Sequence, residues 1–132
     1  MPHDYGPLQS FRAGSDLRAK QFYVVELTGD NQVDACNAAT DLAVGILNNK
    51  PNTGEAAAVM TLMGGRTPAA MDGTADIAAG NLLGPNASGV LVLKATADYS
   101  VCAIAVEACT TNAVEIHDVL WLGAGYFRTA AG

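Results

Sequence analysis

Apolar residues in this chain fall into short runs separated by clusters of Gly, Pro, Asn and Asp at intervals of roughly 8–12 residues, the punctuation of an all-β domain. About seven of these runs read as strands. Phe22–Leu27, rich in branched and aromatic residues, stops at Gly29-Asp30-Asn31, and Leu42–Leu47 stops at the polar stretch Asn48–Gly54. Ala56–Met63 leads into Gly64-Gly65, Asp76–Leu83 into Gly84-Pro85-Asn86, and Val90–Ala95 follows Gly89. Val101–Ala108 and Val114–Leu122 complete the set. In Val101–Ala108, alternation sets Cys102, Ile104 and Val106 on one face and Ala103, Ala105 and Glu107 on the other, as in a half-buried strand. Two places carry competing signals. The segment Ala69–Ala79 is rich in alanine, which favours helix, whereas Gly73 and Gly80 oppose it. Asp118 shares a face with Val114, Ile116 and Leu120, which predicts a bulge or an edge position.

The order of parts runs twice. In the first half Leu27-Thr28-Gly29-Asp30-Asn31 precedes Val33, and Ala39-Thr40-Asp41 leads to Val44-Gly45-Ile46, a polar turn and a strand closing on Leu62-Met63-Gly64. In the second half Leu83-Gly84-Pro85-Asn86 precedes Val90, and Ala95-Thr96-Ala97-Asp98 leads to Cys102-Ala103-Ile104, a polar turn and a strand closing on Trp121-Leu122-Gly123. The expected fold is a single compact β-barrel or sandwich with an internal two-fold repeat, closed so that no long sheet edge stays open. Residues 1–20 lack a sustained apolar period and read as an extended N-terminal arm, residues 21–125 as the β domain, and residues 126–132 as a C-terminal tail.

A length of 132 residues suits one domain. With 24 Ala, 14 Gly and only eight aromatic residues, the core must be built from small and branched side chains. The formal net charge of -6 argues against general affinity for nucleic acid or anionic membrane. That charge is unevenly placed: residues 1–20 carry three basic and two acidic side chains, the remainder four basic and 11 acidic. The longest apolar run, Val101–Val106, is far short of the roughly 18–20 residues a spanning helix needs. Residues 1–6 show neither the basic start nor the hydrophobic stretch of a secretory signal, so synthesis in the cytoplasm is expected.

Candidate chemistry is sparse. The histidines are His3, in the arm, and His117, whose neighbour Asp118 points to the opposite face of a strand and cannot form a relay with it. Cys102 and Cys109 lack a CxxC partner and a second nearby His, so no zinc ligand set is expected, and Cys36 has no basic neighbour to activate it. All three read as buried free thiols. The acidic residues are scattered singly, without a calcium-loop pattern, and Gly64-Gly65-Arg66 lacks the spacing of a phosphate loop. No catalytic, cofactor or metal site is expected. Trp121 reads as core, while Tyr126 and Phe127, past the last strand, read as anchors for a neighbouring molecule.

Three segments together resemble the small capsid decoration (cement) proteins of tailed phages, the DUF2190-like family. They are Val44–Ala56 with its V-G-I strand and Gly54-Glu55 turn, Ile77–Gly89 with Ile77-Ala78-Ala79-Gly80-Asn81-Leu82-Leu83, and Ala103–Ala108. The resemblance spans roughly residues 21–122; Asn81, in place of an acidic residue, and Val106, before Glu107, depart from the pattern. It implies a structural protein, not an enzyme, that binds the outer surface of the expanded phage shell as a homotrimer and clamps neighbouring major capsid subunits. Under that reading the arm residues Tyr5, Leu8, Phe11, Arg12 and Arg18 order on the shell, their basic groups meeting acidic capsid groups. A head-fibre or adhesion subunit binding a host-surface glycan is the alternative, and a small barrel enzyme or ligand carrier with a pocket among Trp121, Tyr23 and the cysteines a more distant one.

Overall fold

The computed structural model describes residues 8–94 and 100–123, together with the backbone of residues 127–128. Its regular elements are twelve strands. β1 (Leu8–Ala13), β2 (Val24–Gly29), β3 (Gln32–Ala35), β4 (Ala43–Leu47) and β5 (Ala56–Met60) close into a ring in the order β1-β3-β2-β4-β5. A second ring, in the order β10-β11-β6-β8-β7, is made by β6 (Arg66–Asp72), β7 (Leu82–Pro85), β8 (Leu91–Leu93), β10 (Ala103–Ala105) and β11 (Val114–Trp121). β9 (Ser100–Val101) and β12 (Phe127–Arg128) pair as a short ribbon.

The second barrel repeats the first, pairing for pairing. β1 runs parallel to β3 as β6 does to β8, and the antiparallel pairs β1–β5, β2–β3, β2–β4 and β4–β5 reappear as β6–β11, β7–β8, β7–β10 and β10–β11. The registers give one consistent residue equivalence around the ring. Ile46 faces Met60 and Val24 where Ile104 faces Leu120 and Leu82. Met60 faces Leu8 where Leu120 faces Arg66, and Ala13 faces Val33 where Met71 faces Leu91. The repeat expected from the order of turns is therefore present, as two complete barrels rather than two halves of one.

Alternation fills each interior. Ala13, Val25, Val33, Leu47, Ala57 and Val59 form the first core with Phe11 packed against it, while Met71, Leu83, Leu91, Ala105, Val119 and Trp121 belong to the second. Val24, Cys36, Ala43 and Ile46 lie outside the first barrel's core and join the second barrel's cluster, which fuses the two barrels into one packed body. The seam is also hydrogen-bonded: Val24 N–H donates to Gly89 O and Ala70 N–H to Phe22 O, each at 2.9 Å. Gly89 sits at φ 80°, where a Cβ would press on the Cys36 carbonyl, so the close approach requires glycine. Val24 and Ile46 are fully buried, yet their equivalents Leu82 and Ile104 are only half-buried. A closed two-fold would bury both walls alike, so the barrels pack head to tail.

Several expectations are corrected. Residues 8–20 are part of the first barrel rather than an arm: β1 pairs with β5 from Leu8 to Arg12, and Leu17 is buried. The alternation there is easy to miss because the inward positions are a polar residue, Gln9, a large one, Phe11, and a small one, Ala13, with an exposed Leu8 on the other face. The alanine-rich stretch, where Gly73 and Gly80 oppose a helix, holds none: β6 runs through Ala69–Asp72 and Ile77 forms a bridge with Cys109. β11 has no bulge at Asp118; it pairs with β6 continuously from Val114 to Leu120. Its apolar-looking face, Val114, Ile116 and Leu120, points out to solvent, whereas Glu115 and His117 share the inward side with Val119 and Trp121.

Candidate functional site

The densest group of chemically active side chains lies at the open end of the second barrel. β11 carries Glu115 and His117 two residues apart, hence on one face. The chain after β10 folds over that face and is pinned by the Ile77–Cys109 bridge, whose two backbone hydrogen bonds are 3.0 Å each. Gly73 permits the approach, because a Cβ there would collide with the Cys109 carbonyl. His117 Nδ1 lies 2.8 Å from Glu107 Oε1 and Nε2 lies 2.9 Å from Glu115 Oε1, while the Cys109 thiol points at the same Glu115 oxygen at 3.9 Å.

The electrostatics follow from this geometry. The hydrogen bonds to Glu115 and then Glu107 raise the His117 pKa, and the His117 hydrogen bond lowers that of Glu115. Burial pushes the Cys109 thiol up, and the nearby Glu115 and Asp72 charges act in the same direction. A cysteine nucleophile needs an electropositive setting and a base with a free lone pair. Here the thiol faces a carboxylate and both imidazole nitrogens are engaged, so the arrangement opposes thiolate catalysis. Cys36 and Cys102 are buried core thiols, Cys102 pushed up to about 12 by complete desolvation and Cys36 also raised by burial. Trp121 is fully buried, and its Nε1 has no hydrogen-bond partner among the described residues.

A cleft of about 430 Å³ opens elsewhere, on the first barrel, lined by Glu26, Leu27, Thr40, Asp41, Leu42 and Val44. Asp41 caps its own loop by accepting from Asn37 N–H at 2.8 Å and Ala38 N–H at 3.0 Å. Desolvation, the hydrogen bond to Asp41 and the charges of Asp41 and Asp34 raise Glu26 to about 7. Leu27 and Leu42 leave an apolar rim. Among the described residues that line this cleft none is a cation that would bind or polarise an anionic substrate.

Of the expected contact residues, the structure describes the side chains of Leu8, Phe11, Arg12 and Arg18. Leu8 and Arg12 lie on the exposed face of β1, with Arg12 Nη2 donating to Gln32 at 2.9 Å. Phe11 instead turns inward against the first core. Arg18 is exposed but locked to Asp16 by a two-point ion pair, which lowers Asp16 to about 2. Tyr5 and Tyr126 lie outside the described residues, as does the side chain of Phe127, whose backbone belongs to β12. Sequence reasoning missed the meeting of Glu107, Cys109, Glu115 and His117; the available signal was the E-x-H spacing on one strand face.

In comparison with solved structures, the chain is similar to the base of the head fiber protein gp8.5 of bacteriophage phi29, with a TM-score of 0.57 at 18% sequence identity. The match covers 88% of this chain and 92% of that one, so the paired barrels as a whole share a fold with it. No protein-family model matches the chain, and no curated protein matches it in sequence.

Proposed function

We propose that the protein is a structural component of a tailed-phage virion, carried on the outside of the head as a shell-attached module. The observation that supports this most is the head-fiber base fold, matched over nearly the whole of both chains. The decoration-family resemblance of residues 21–122, found independently in the sequence motifs, points to the same part of the virion. The partner in this reading is the major capsid protein, and the protein itself assembles as a homotrimer around a symmetry axis of the lattice. The outward face of β11, with Val114, Ile116 and Leu120 exposed, supplies an apolar surface for attachment. No catalytic step and no cofactor belong to the role.

Two finer roles fit this placement. A clamp holds neighbouring capsid subunits together and gains from engaging two or three sites at once. A fiber base uses the same attachment to present a further segment or a glycan-binding surface outward, and the structural likeness favours it. Cosedimentation of the purified chain with DNA-free shells of its phage, before and after expansion, tests the shared part. Saturable binding at a stoichiometry fixed by the lattice is expected, and absence of binding to both forms overturns it. The thermal stability of saturated shells then separates the roles, since a clamp raises it and a fiber base leaves it unchanged.

A further inference from the structure

The geometry points to a transition-metal site at the open end of the second barrel, with Cys109 Sγ, Glu115 Oε1 and His117 Nε2 as ligands for a zinc-class divalent cation. The candidate donor atoms all lie within 4.8 Å of one another. Around tetrahedral zinc, ligand atoms stand about 3.3–3.8 Å apart, given bond lengths of roughly 2.0–2.3 Å. The observed 2.9 Å between His117 and Glu115 and 3.9 Å between Cys109 and Glu115 come within a few tenths of an ångström of that frame. The third pair, Cys109 Sγ and His117 Nε2, is held only to within 4.8 Å, so closing the frame draws these two together by rotation of the partly exposed Glu115 and His117 side chains.

Three further features fit a metal site. The fold holds the donors on rigid elements, with Cys109 pinned by its bridge to Ile77 and the other two in register on β11 against β6. Glu107 bonds His117 Nδ1 at 2.8 Å, which aims Nε2 at the other donors in the carboxylate–histidine–metal arrangement that orients metal-bound imidazoles. The first barrel, finally, lacks the set: the residue equivalent to His117 is Ala57, so the barrel architecture does not itself require these polar side chains. The S, N and O donors select zinc or a similar metal over Mg²⁺ and Ca²⁺, which favour all-oxygen shells. A thiolate and a carboxylate also neutralise a divalent charge, and solvent supplies the fourth position. The consequence is structural: the ion ties the segment after β10 to β11. This inference does not depend on the virion reading.

The test uses the untagged full chain, freed of metal, titrated with Co²⁺ as a spectroscopic probe and with Zn²⁺ in thermal unfolding. One equivalent of Co²⁺ should give a thiolate-to-metal charge-transfer band with tetrahedral d–d absorption, and Zn²⁺ should raise Tm saturably. Cys109→Ser should abolish the charge-transfer band, while Cys36→Ala keeps it. Glu115→Gln, a partly exposed change that leaves the core intact, should weaken Co²⁺ at least tenfold, and Glu107→Gln ten- to hundredfold through loss of imidazole orientation. A chain that binds no Co²⁺ stoichiometrically overturns the inference, as does a charge-transfer band that survives in Cys109→Ser.

Discussion

The two barrels share every strand pairing and scarcely a side chain. Among inward positions that correspond by register, only Val59 and Val119 are the same residue. Elsewhere, volume is traded around the ring. Leu47 in the first barrel becomes Ala105 in the second, Ala13 becomes Met71, and Val25 becomes Leu83. The pair Phe11 opposite Ala57 becomes Ala69 opposite His117. Interiors tolerate such exchange when total volume and patterning are kept. The architecture is therefore specified by turns and by which positions face inward. The large aromatic ring of each core stands at a different place in the barrel, Phe11 on β1 in the first and Trp121 at the end of β11 in the second, while the opposite end of β11 carries the polar Glu115 and His117.

The harshest way to break this comparison is Trp121→Ala. It removes the bulkiest side chain of the second core and should cost about 3–5 kcal/mol, read by urea unfolding. The equivalent change in the first barrel, Thr61→Ala at a half-buried position, should cost under about 1 kcal/mol. Trp121→Phe should lose less than its volume suggests, because it also deletes an indole N–H that is buried without a partner among the described residues, a defect of about 1–3 kcal/mol. If Trp121→Ala and Thr61→Ala cost the same, the division of labour between the barrels is wrong.

A sharper probe is Phe11→Ala. Patterning places Phe11 in an extended arm, and the family resemblance implies that this arm binds a shell, whereas the structure packs Phe11 against the first core. A half-buried ring of this kind should cost about 2 kcal/mol, below the roughly 3–5 of a fully buried one. Shell affinity at temperatures where the variant stays folded should be unchanged; a variant with normal stability and lost affinity would restore the arm.

That misassignment shows where the sequence was legible. Fold class and repeat could be read because turns announce themselves: Gly29-Asp30-Asn31, Asn86 to Gly89 and the polar stretch from Asn48 each end a strand for local steric and hydrogen-bonding reasons. β1, β3 and β6 were hidden for the opposite reason. Their inward sides mix apolar residues with small or polar ones, as with Gln9 and Ala13 beside Phe11, Thr67 and Ala69 beside Met71, and the single Val33 in β3, so alternation has little amplitude. β11 misled in a third way. Its most apolar face is the solvent face, and its polar face lies inside because a distant segment, Glu107 to Cys109, supplies hydrogen-bonding partners. Such a site becomes visible only when non-local contacts are known.

A pH-dependent difference between the barrels comes from Glu26, whose equivalent in the second barrel is Gly84. Glu26 is raised from 4.5 to about 7 in the folded chain, mainly by desolvation and then by Asp41. Between those values the folded state holds a proton that the unfolded state has released. This group's contribution is therefore greatest below pH 4.5 and is lost as pH rises through about 7. The stability of Glu26→Gln relative to the parent, measured by urea unfolding from pH 4 to 8, should climb through that window and then level off. A difference that stays flat across the window would show that folding does not raise Glu26.

The smallest expected effect is on the outer surface, where Arg66 Nε meets Asp118 Oδ2 at 2.8 Å across β6 and β11. The equivalent positions of the first barrel hold Leu8 and Ala58, so no ion pair is repeated there. Both side chains of the pair are substantially exposed, at 59% and 36%. Water and salt then screen the attraction, and ordering two mobile side chains offsets much of the remainder. A double-mutant cycle of Arg66→Ala and Asp118→Ala should give a coupling of about 0.2–1 kcal/mol that shrinks as salt rises. The value discriminates because Asp118 sits among Val114, Ile116 and Leu120 on the face proposed for attachment. A coupling well above 1 kcal/mol that resists salt would mean the pair is desolvated in solution, and this face is then not free for attachment to a shell.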